Sequence, residues 1–528
     1  MMILKTFFCK SIAVLAGLWL CWCGVAKGQT YDSLDYLIKG ALVFDGTENA
    51  ATQMDIGIEG NKIAYIGNSA EDKVRSKETI SAKGLYLCPG FIDSHTHYTS
   101  WLGSGKPTKR ANIPCLSQGV TTVFLGSDGG GTYHVKAKLA AYEKNGIGTN
   151  VALWVGFGSV RRAVLGNDDL QPDEQQLEKE KELVAQGMKE GALGLSTGLF
   201  YTPQVYAKTE EVIALAAVAK KYGGTYDTHM RSESSGLIPA VQETIDIGKT
   251  TGIPVHISHI KCLGPAAWGT SEDVIKQVEH ARKVEKVNVT ACQYPYLASH
   301  TSFSAMVIPP WAKSGGTKAM LKRFDNPDTL RSILEGLSIK LALRGGDGRI
   351  TLSSTDSLFN GKTLHQVAAS WGVSPEKAAI RILRKQPGIG ANSFSMIEED
   401  LEHYMVQPWV MTCSDGGSTS HPRTYSSFIR KIKKYVLAEN LIAMSDAIYK
   451  ATGQTATFFG LKNRGFIRKG YYADIVLFDP QRISDNATYM NPDELATGIN
   501  YVFVNGRVAM KGGVSTDVLS GMSLRHQQ

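Results

Sequence analysis

His95-Thr96-His97 sets two imidazoles at alternate positions of one apolar stretch. Alternate residues of a strand share a face, so both rings can reach one ion. Three further groups sit at the ends of apolar runs: His229 closes Thr225–His229, His259 closes Pro254–His259, and Asp415 follows Val410–Ser414. Asp93 precedes the histidine pair, and Asp128 follows the run Thr121–Gly126. Four imidazoles and two or three carboxylates make a nitrogen–oxygen donor set suited to zinc or a similar divalent ion. Each is weak evidence alone. A solitary histidine at a strand end is more often a hydrogen-bonded structural residue. Asp415-Gly416-Gly417 also reads as an ordinary turn. Joint placement at run ends is what points to metal chemistry. The other histidines, His300 and His421 among them, have no such placement and read as structural or surface groups.

These side chains meet only if the runs are parallel strands of one closed sheet. Eight apolar runs occupy the middle of the chain: Leu87–Ile92, Thr121–Gly126, Asn150–Gly156, Ala192–Ser196, Thr225–His229, Pro254–His259, Asn288–Gln293 and Val410–Ser414. Helical stretches such as Pro172–Glu190, Thr209–Tyr222, Gly236–Thr250 and Ser271–Val284 lie between them. Strand and helix alternating in this way predict an α/β protein, a (β/α)8 TIM-type barrel, with functional groups at the C-terminal ends of its strands. The stretch 297–408 is too long for one helix with its loops and predicts an inserted, substrate-covering subdomain. Both chain ends are strand-rich. Asp35–Lys39, Ala41–Asp45 and a hairpin turning at Gly60-Asn61 lead in, while Ala473–Phe478 and a hairpin turning at Asn505-Gly506 close the chain. They predict a small β-sandwich built from residues 29–88 and 465–528, flanking a barrel over 89–464.

The 528 residues are 43% hydrophobic and 20% charged, which excludes disorder, a disulfide mini-scaffold and a polytopic membrane protein. The net charge of +8 is small for this length, and no Lys/Arg stripe argues for nucleic acid. Residues 1–28 have the layout of a secretory signal peptide: Lys5 and Lys10, the apolar run Ile12–Trp22, then Ala26-Lys27-Gly28. The run is too short for a membrane span. Lipid attachment is the weaker rival, because Leu20 and Trp22 precede Cys21 and Cys23 where a small residue belongs. The expected product is periplasmic or secreted, with no membrane association after leader removal. Its five cysteines, Cys88, Cys115, Cys262, Cys292 and Cys413, are widely spaced and form no disulfide framework.

Pro89-Gly90-Phe91-Ile92-Asp93-Ser94-His95-Thr96-His97 resembles the first-strand signature of the amidohydrolase superfamily. Further segments resemble its N-acyl-D-amino-acid deacylase (D-aminoacylase) branch: Gln118–Thr122, Gly191–Leu199, Thr228–Arg231, Ile257–Lys261, Tyr294–Tyr296, Ser414–Gly416 and His421–Arg423. The matches run in order over nearly all of the chain after the leader. The resemblance implies metal-dependent hydrolysis of the amide bond of N-acyl-D-amino acids, releasing a carboxylic acid and a D-amino acid. It implies one metal position at His95 and His97, a second at His229 and His259, and Asp415 as metal contact and proton carrier. Tyr201, Lys261, Tyr294 and Arg423 match positions that hold the substrate carboxylate and amide. One residue departs from the pattern. The branch usually carries a Cys at the end of the second strand, and Gly126-Ser127-Asp128-Gly129 puts Asp128 there. No Lys stands in Leu195-Ser196-Thr197, so Asp128 is the expected bridging ligand. A carboxylate is harder than a thiolate, which opens the site to manganese and similar ions besides zinc. The rival readings are an amidohydrolase acting on cyclic amides or dipeptides, and a non-catalytic secreted binding protein.

Overall fold

The computed structural model describes residues 34–526; the expected leader, residues 1–28, lies outside them. Eight parallel strands form the centre: β1 (Phe91–Thr96), β2 (Val120–Leu125), β3 (Asn150–Leu153, resuming at Val155–Gly156), β4 (Gly194–Gly198), β5 (Thr225–His229), β6 (Val255–Ile257), β7 (Val289–Gln293) and β8 (Val410–Thr412). Hydrogen bonding runs β1-β2-β3 and β3-β4-β5-β6-β7-β8, and a parallel bridge between Thr96 and Gly416 closes the ring. Every residue of β1, β2, β4, β5 and β7 is buried, which is why these strands read as continuous apolar runs rather than alternating ones. The connecting helices carry their own start signals. Asp173 accepts a hydrogen bond from Gln176 N, and the Gln176 side chain returns one from Asp173 N, at the head of Glu174–Lys189.

The first apolar run divides in two. Leu87 belongs to a strand of the outer sheet, Tyr86–Pro89, and the barrel strand begins at Phe91. Gly90 is the joint: a Cβ there would lie 2.2 Å from Thr121 Oγ1, so the two sheets touch at a point only glycine fits. The residues expected as two strands, Asp35–Lys39 and Ala41–Asp45, form one strand, Leu34–Val43, whose register shifts around Gly40 at φ 76°. The chain ends combine into a single nine-stranded sheet, in which Tyr86–Pro89 pairs antiparallel with Ile475–Phe478. That sheet curls over an interior filled by Ile56, Ile58, Ile63, Leu87, Leu477 and Phe503. Its far edge returns to Tyr471 and Ala473, through Ile63 N to Tyr471 O and Ala473 N to Asn61 O.

Between β7 and β8 the chain builds a separate layer. Ser299–Ser302, Gly390–Ser393 and Ile350–Ser353 form a three-stranded antiparallel sheet. Helices including Pro327–Leu343 and Pro375–Lys385 pack beside it over an apolar core of their own. Among the described residues, no helix is long and apolar enough to cross a membrane.

A buried ionic cluster on the barrel wall steadies one rim loop. Arg161 Nη1 donates to both Glu211 carboxyl oxygens, at 2.5 and 2.7 Å, and Nε donates to Pro203 O at 3.0 Å, two residues past Tyr201. Glu180 lies beside Glu211, buried, with neither carboxyl oxygen hydrogen-bonded. Burial, then the Glu211 charge, push Glu180 from an ordinary 4.5 up to about 8. Folded protein therefore keeps a proton that the unfolded chain releases, and stability declines as pH rises from 4.5 toward 8. Urea unfolding at pH 5 and pH 8 checks this: Glu180→Gln is expected to remove on the order of 2 kcal/mol of the wild-type decline. Parallel pH dependences in the two proteins would contradict it.

Candidate metal centre and active site

Barrel closure brings the first pair of histidines to the last acid. Asp415 N donates to His95 O at 3.0 Å, and His97 N donates to Gly416 O at 2.7 Å. Asp93 braces the same seam from inside, accepting from Ser414 N at 3.0 Å and His95 N at 3.3 Å. It is a structural strut rather than a rim ligand. Asp415 Oδ1 then stands 3.1 Å from His97 Nε2 and 3.6 Å from His95 Nε2.

Asp128 arrives on the glycine loop after β2, at φ 55°. The loop presses backbone on backbone, and a Cβ on Gly131 would lie 2.2 Å from Trp154 O. Ser196 Oγ accepts from Gly129 N at 3.3 Å. Gln204 clamps from below, donating to Asp128 O at 2.9 Å and accepting from Gly198 N at 2.7 Å. The carboxylate is thereby aimed at four imidazoles: His95 at 3.4 Å, His97 at 3.6 Å, His229 at 3.8 Å and His259 at 3.5 Å.

His259 stands two residues beyond β6 at φ 36°, its N–H bonded to Cys292 Sγ at 3.2 Å. Its Nε2 lies 3.0 Å from His229 Nδ1, and its Nδ1 lies 3.0 Å from Glu233 Oε1. Glu233 also pairs with the Lys261 ammonium. A carboxylate behind a ligating histidine fixes the ring and raises its basicity. The strand-end reading missed Glu233 because it lies out on the loop, four residues past His229. Its one signal was an acid following a rim histidine in Thr228-His229-Met230-Arg231-Ser232-Glu233.

Three donor triads result, each with ligand atoms within 4.8 Å of one another: His95/His97/Asp128, Asp128/His229/His259 and His95/His259/Asp415. The residues fit a divalent ion. His95 is fully buried, yet neither ring nitrogen has a hydrogen-bond partner, nor does Asp128 Oδ1. Groups so enclosed and so close need a cation between them. Burial lowers His95 to about 3 and His229 to about 4, which keeps both rings neutral, the form that binds metal. Burial works against the charge on Asp128, but the imidazoles around it, among them His259, which holds its own proton more tightly than usual, keep the carboxyl well below the usual range. On β4, Ser196 is bonded to Asp227 at 2.9 Å and Thr197 to Thr228 at 2.8 Å, and neither reaches the donor set.

Above the donors opens a cavity of about 520 Å³. Tyr201, Lys261, Tyr294 and Arg423 all line it. Arg423 Nη1 pairs with Asp415 Oδ2 at 2.8 Å, and the guanidinium lies 4.7 Å from the Tyr294 ring centroid. Lys261 Nζ lies 5.7 Å from the same ring centroid. Tyr294 Oη is buried with no hydrogen-bond partner. The Tyr201 ring lies 4.8 Å from His229, tilted at 52°, and its hydroxyl accepts from Thr301 Oγ1 at 3.3 Å. His300, read from sequence as structural or surface, also lines the cavity, and its carbonyl accepts from Arg423 Nη2 at 3.2 Å. His421 is buried and bonds Ala298 O at 3.0 Å, a structural position.

A closed parallel barrel with nitrogen and oxygen donors gathered at the C-terminal ends of its strands defines a metal-dependent hydrolase. Sequence profiles of the amidohydrolase family match residues 86–291 and 388–510. The D-aminoacylase of Alcaligenes xylosoxydans xylosoxydans is 32% identical over 498 residues, 89% of this chain and 93% of that protein. A solved D-aminoacylase with a binuclear metal centre superposes with a TM-score of 0.79 at 30% identity, over 93% of this chain and all of that one. An N-acyl-D-glutamate deacylase from Bordetella bronchiseptica, solved with zinc and a phosphonate inhibitor, also reaches 0.79, at 28% identity and over the same shares. The chain belongs to the amidohydrolase family, in its D-aminoacylase branch.

Gln204 is the support whose loss should be felt at the metal without touching it. Gln204→Leu is expected to weaken zinc binding about 10- to 100-fold, read by competition with a chromophoric chelator, while the circular dichroism spectrum stays unchanged. Wild-type affinity in that variant would show that Asp128 is held by other means.

Proposed function

We propose that this protein hydrolyses the amide bond of N-acyl-D-amino acids, releasing a carboxylic acid and a D-amino acid, with zinc or a similar divalent ion held by His95, His97, Asp128, His229, His259 and Asp415. The observation that carries the reading is Arg423, a buried guanidinium set against Asp415 at the edge of the donor cluster. It supplies a carboxylate receptor one side chain away from the reacting centre. The D configuration and the zinc follow from the relatives that share this site.

When bound, the divalent ion supplies an activated water and a Lewis acid for the amide carbonyl. The chain's own residues do the rest. Arg423 and Lys261 hold the substrate carboxylate; with Nη1 on Asp415 and Nη2 on the His300 carbonyl, Arg423 offers it the unpartnered Nε. Tyr294, with its ring 4.7 and 5.7 Å from the two cations and its hydroxyl unpartnered, donates to the same carboxylate, and Tyr201 borders the amide from the His229 side. Burial opposes the negative charge on Asp415, but Arg423 and then His259 hold its carboxyl well below the usual range, so it starts the cycle unprotonated. It takes the proton from the attacking water. It returns that proton to the departing nitrogen, which cannot leave as an amide anion. The basic start, apolar run and small-residue site in residues 1–28 support export of the enzyme, to the periplasm or beyond.

Three measurements test the proposal. A panel of N-acetyl-D-amino acids, their L forms, hydantoins and dipeptides should show turnover of the D forms; faster turnover of L forms, ring amides or dipeptides would contradict it. Asp415→Asn is expected to lower kcat by about 10³-fold with the fold intact. Chelation should abolish activity and added zinc restore it. Full activity in metal-free protein would remove the ion from the mechanism.

A further inference from the structure

The cavity carries more positive charge than this reaction uses. Lys261 and Arg423 have partners at the centre, Glu233 and Asp415. Arg231 is forked onto Glu243, at 3.0 and 2.8 Å. Lys340 and Arg344 also line the cavity, and neither joins an ion pair with any described residue. They stand four residues apart, one helical turn, at the end of Pro327–Leu343. That helix is started by Pro327 and by Asn326, which accepts from Asp328 N and Thr329 N.

Arg344 is only 6% exposed, and its Nη1 has no hydrogen-bond partner. The acid whose charge favours its guanidinium is Glu233, which already serves Lys261 and His259. Lys340 Nζ lies 5.6 Å from the Phe200 ring, and that ring lies 5.5 Å from His229. Burial and the Arg344 charge both disfavour the Lys340 ammonium, and no acid offsets them. Lys313, buried nearby, is disfavoured in turn by burial and by Lys340. A helix C-terminus favours basic residues, but it would do so equally with those residues in water. An unpaired guanidinium in the wall of a substrate cavity is expensive unless the ligand brings its counter-ion.

We propose that Lys340 and Arg344 receive a second carboxylate, so that the preferred substrates are dianionic N-acyl-D-amino acids. The proposal rests on the deacylase reading above. It names one chemistry with two possible sources, since the second carboxylate is carried either by the amino-acid side chain or by the far end of the acyl group. The zinc-loaded enzyme, wild type, Arg344→Met and Lys340→Met, is assayed with N-acetyl-D-glutamine as the monoanionic reference. N-acetyl-D-glutamate and N-succinyl-D-glutamine test the two sources. In wild type, one dianionic substrate should exceed the reference in kcat/KM by about tenfold or more, mainly through KM. That ratio should fall toward one in both variants. A reference turned over as well as both dianions, or a preference that survives both substitutions, overturns the proposal. Binding calorimetry on the same holoprotein separates this from failure of the deacylase reading. If no acylated amino acid is turned over, that reading fails. The second carboxylate is then judged by glutarate against butyrate: tighter glutarate binding lost in both variants supports it, and equal affinities overturn it.

Discussion

The mutual approach of nitrogen and oxygen donors at one rim of the barrel is the constraint on which the rest depends. Asp128 faces four imidazoles at 3.4 to 3.8 Å, and His95 has no hydrogen bond to either nitrogen despite complete burial. Such a cluster is unfavourable by itself, because lone pairs confront one another at close range. The backbone is also held against preference. Asp128, His259 and Asp415 all adopt left-handed conformations, with φ of 55°, 36° and 49°. Each such non-glycine residue costs about 1–3 kcal/mol and persists only where the surroundings over-determine it. Here the surroundings are the packed barrel: the Thr96–Gly416 closure, the Gly131 contact with Trp154, and the Gln204 clamp. A divalent cation turns that confrontation into coordination.

Charge is arranged outward from the donors in shells. Glu233 stands behind His259 and ties it to Lys261; Arg423 stands behind Asp415 and faces the cavity. Anions lie near the metal position and cations around them, so a substrate carboxylate is drawn to the rim while its amide is left over the donors. The layer inserted between β7 and β8 supplies the far wall, through His300, Thr301, Lys340 and Arg344. One scaffold thus separates two tasks. The barrel holds the reacting groups rigidly, and a layer with its own core faces the variable part of the ligand.

Much of this was legible in the residues, for a physical reason. Parallel barrel strands are buried on both faces, so each shows as an apolar run, and the chemistry sits where the run stops. That rule alone singles out His95, His97, Asp128, His229, His259 and Asp415, which the fold brings together. It fails where position depends on loop geometry. Glu233 and Gln204 lie past strand ends, and nothing in their spacing says that the chain turns back toward the metal. Lys340 and Arg344 look like ordinary basic residues of a helix end until the fold sets them in the cavity wall. Asp93 has the opposite history: its spacing matches that of the histidines, but its side chain turns inward, where Oδ1 accepts from Ser414 N and His95 N. The joint at Gly90 was hidden because Leu87–Ile92 is uniformly apolar across two sheets.

Anomalous diffraction at the zinc absorption edge, from crystals of the protein purified and grown with zinc, tests the central claim most directly. The account predicts one or two strong peaks enclosed by His95, His97, Asp128, His229, His259 and Asp415. An empty rim with these side chains hydrogen-bonded to water, or zinc bound only elsewhere on the molecule, would contradict it.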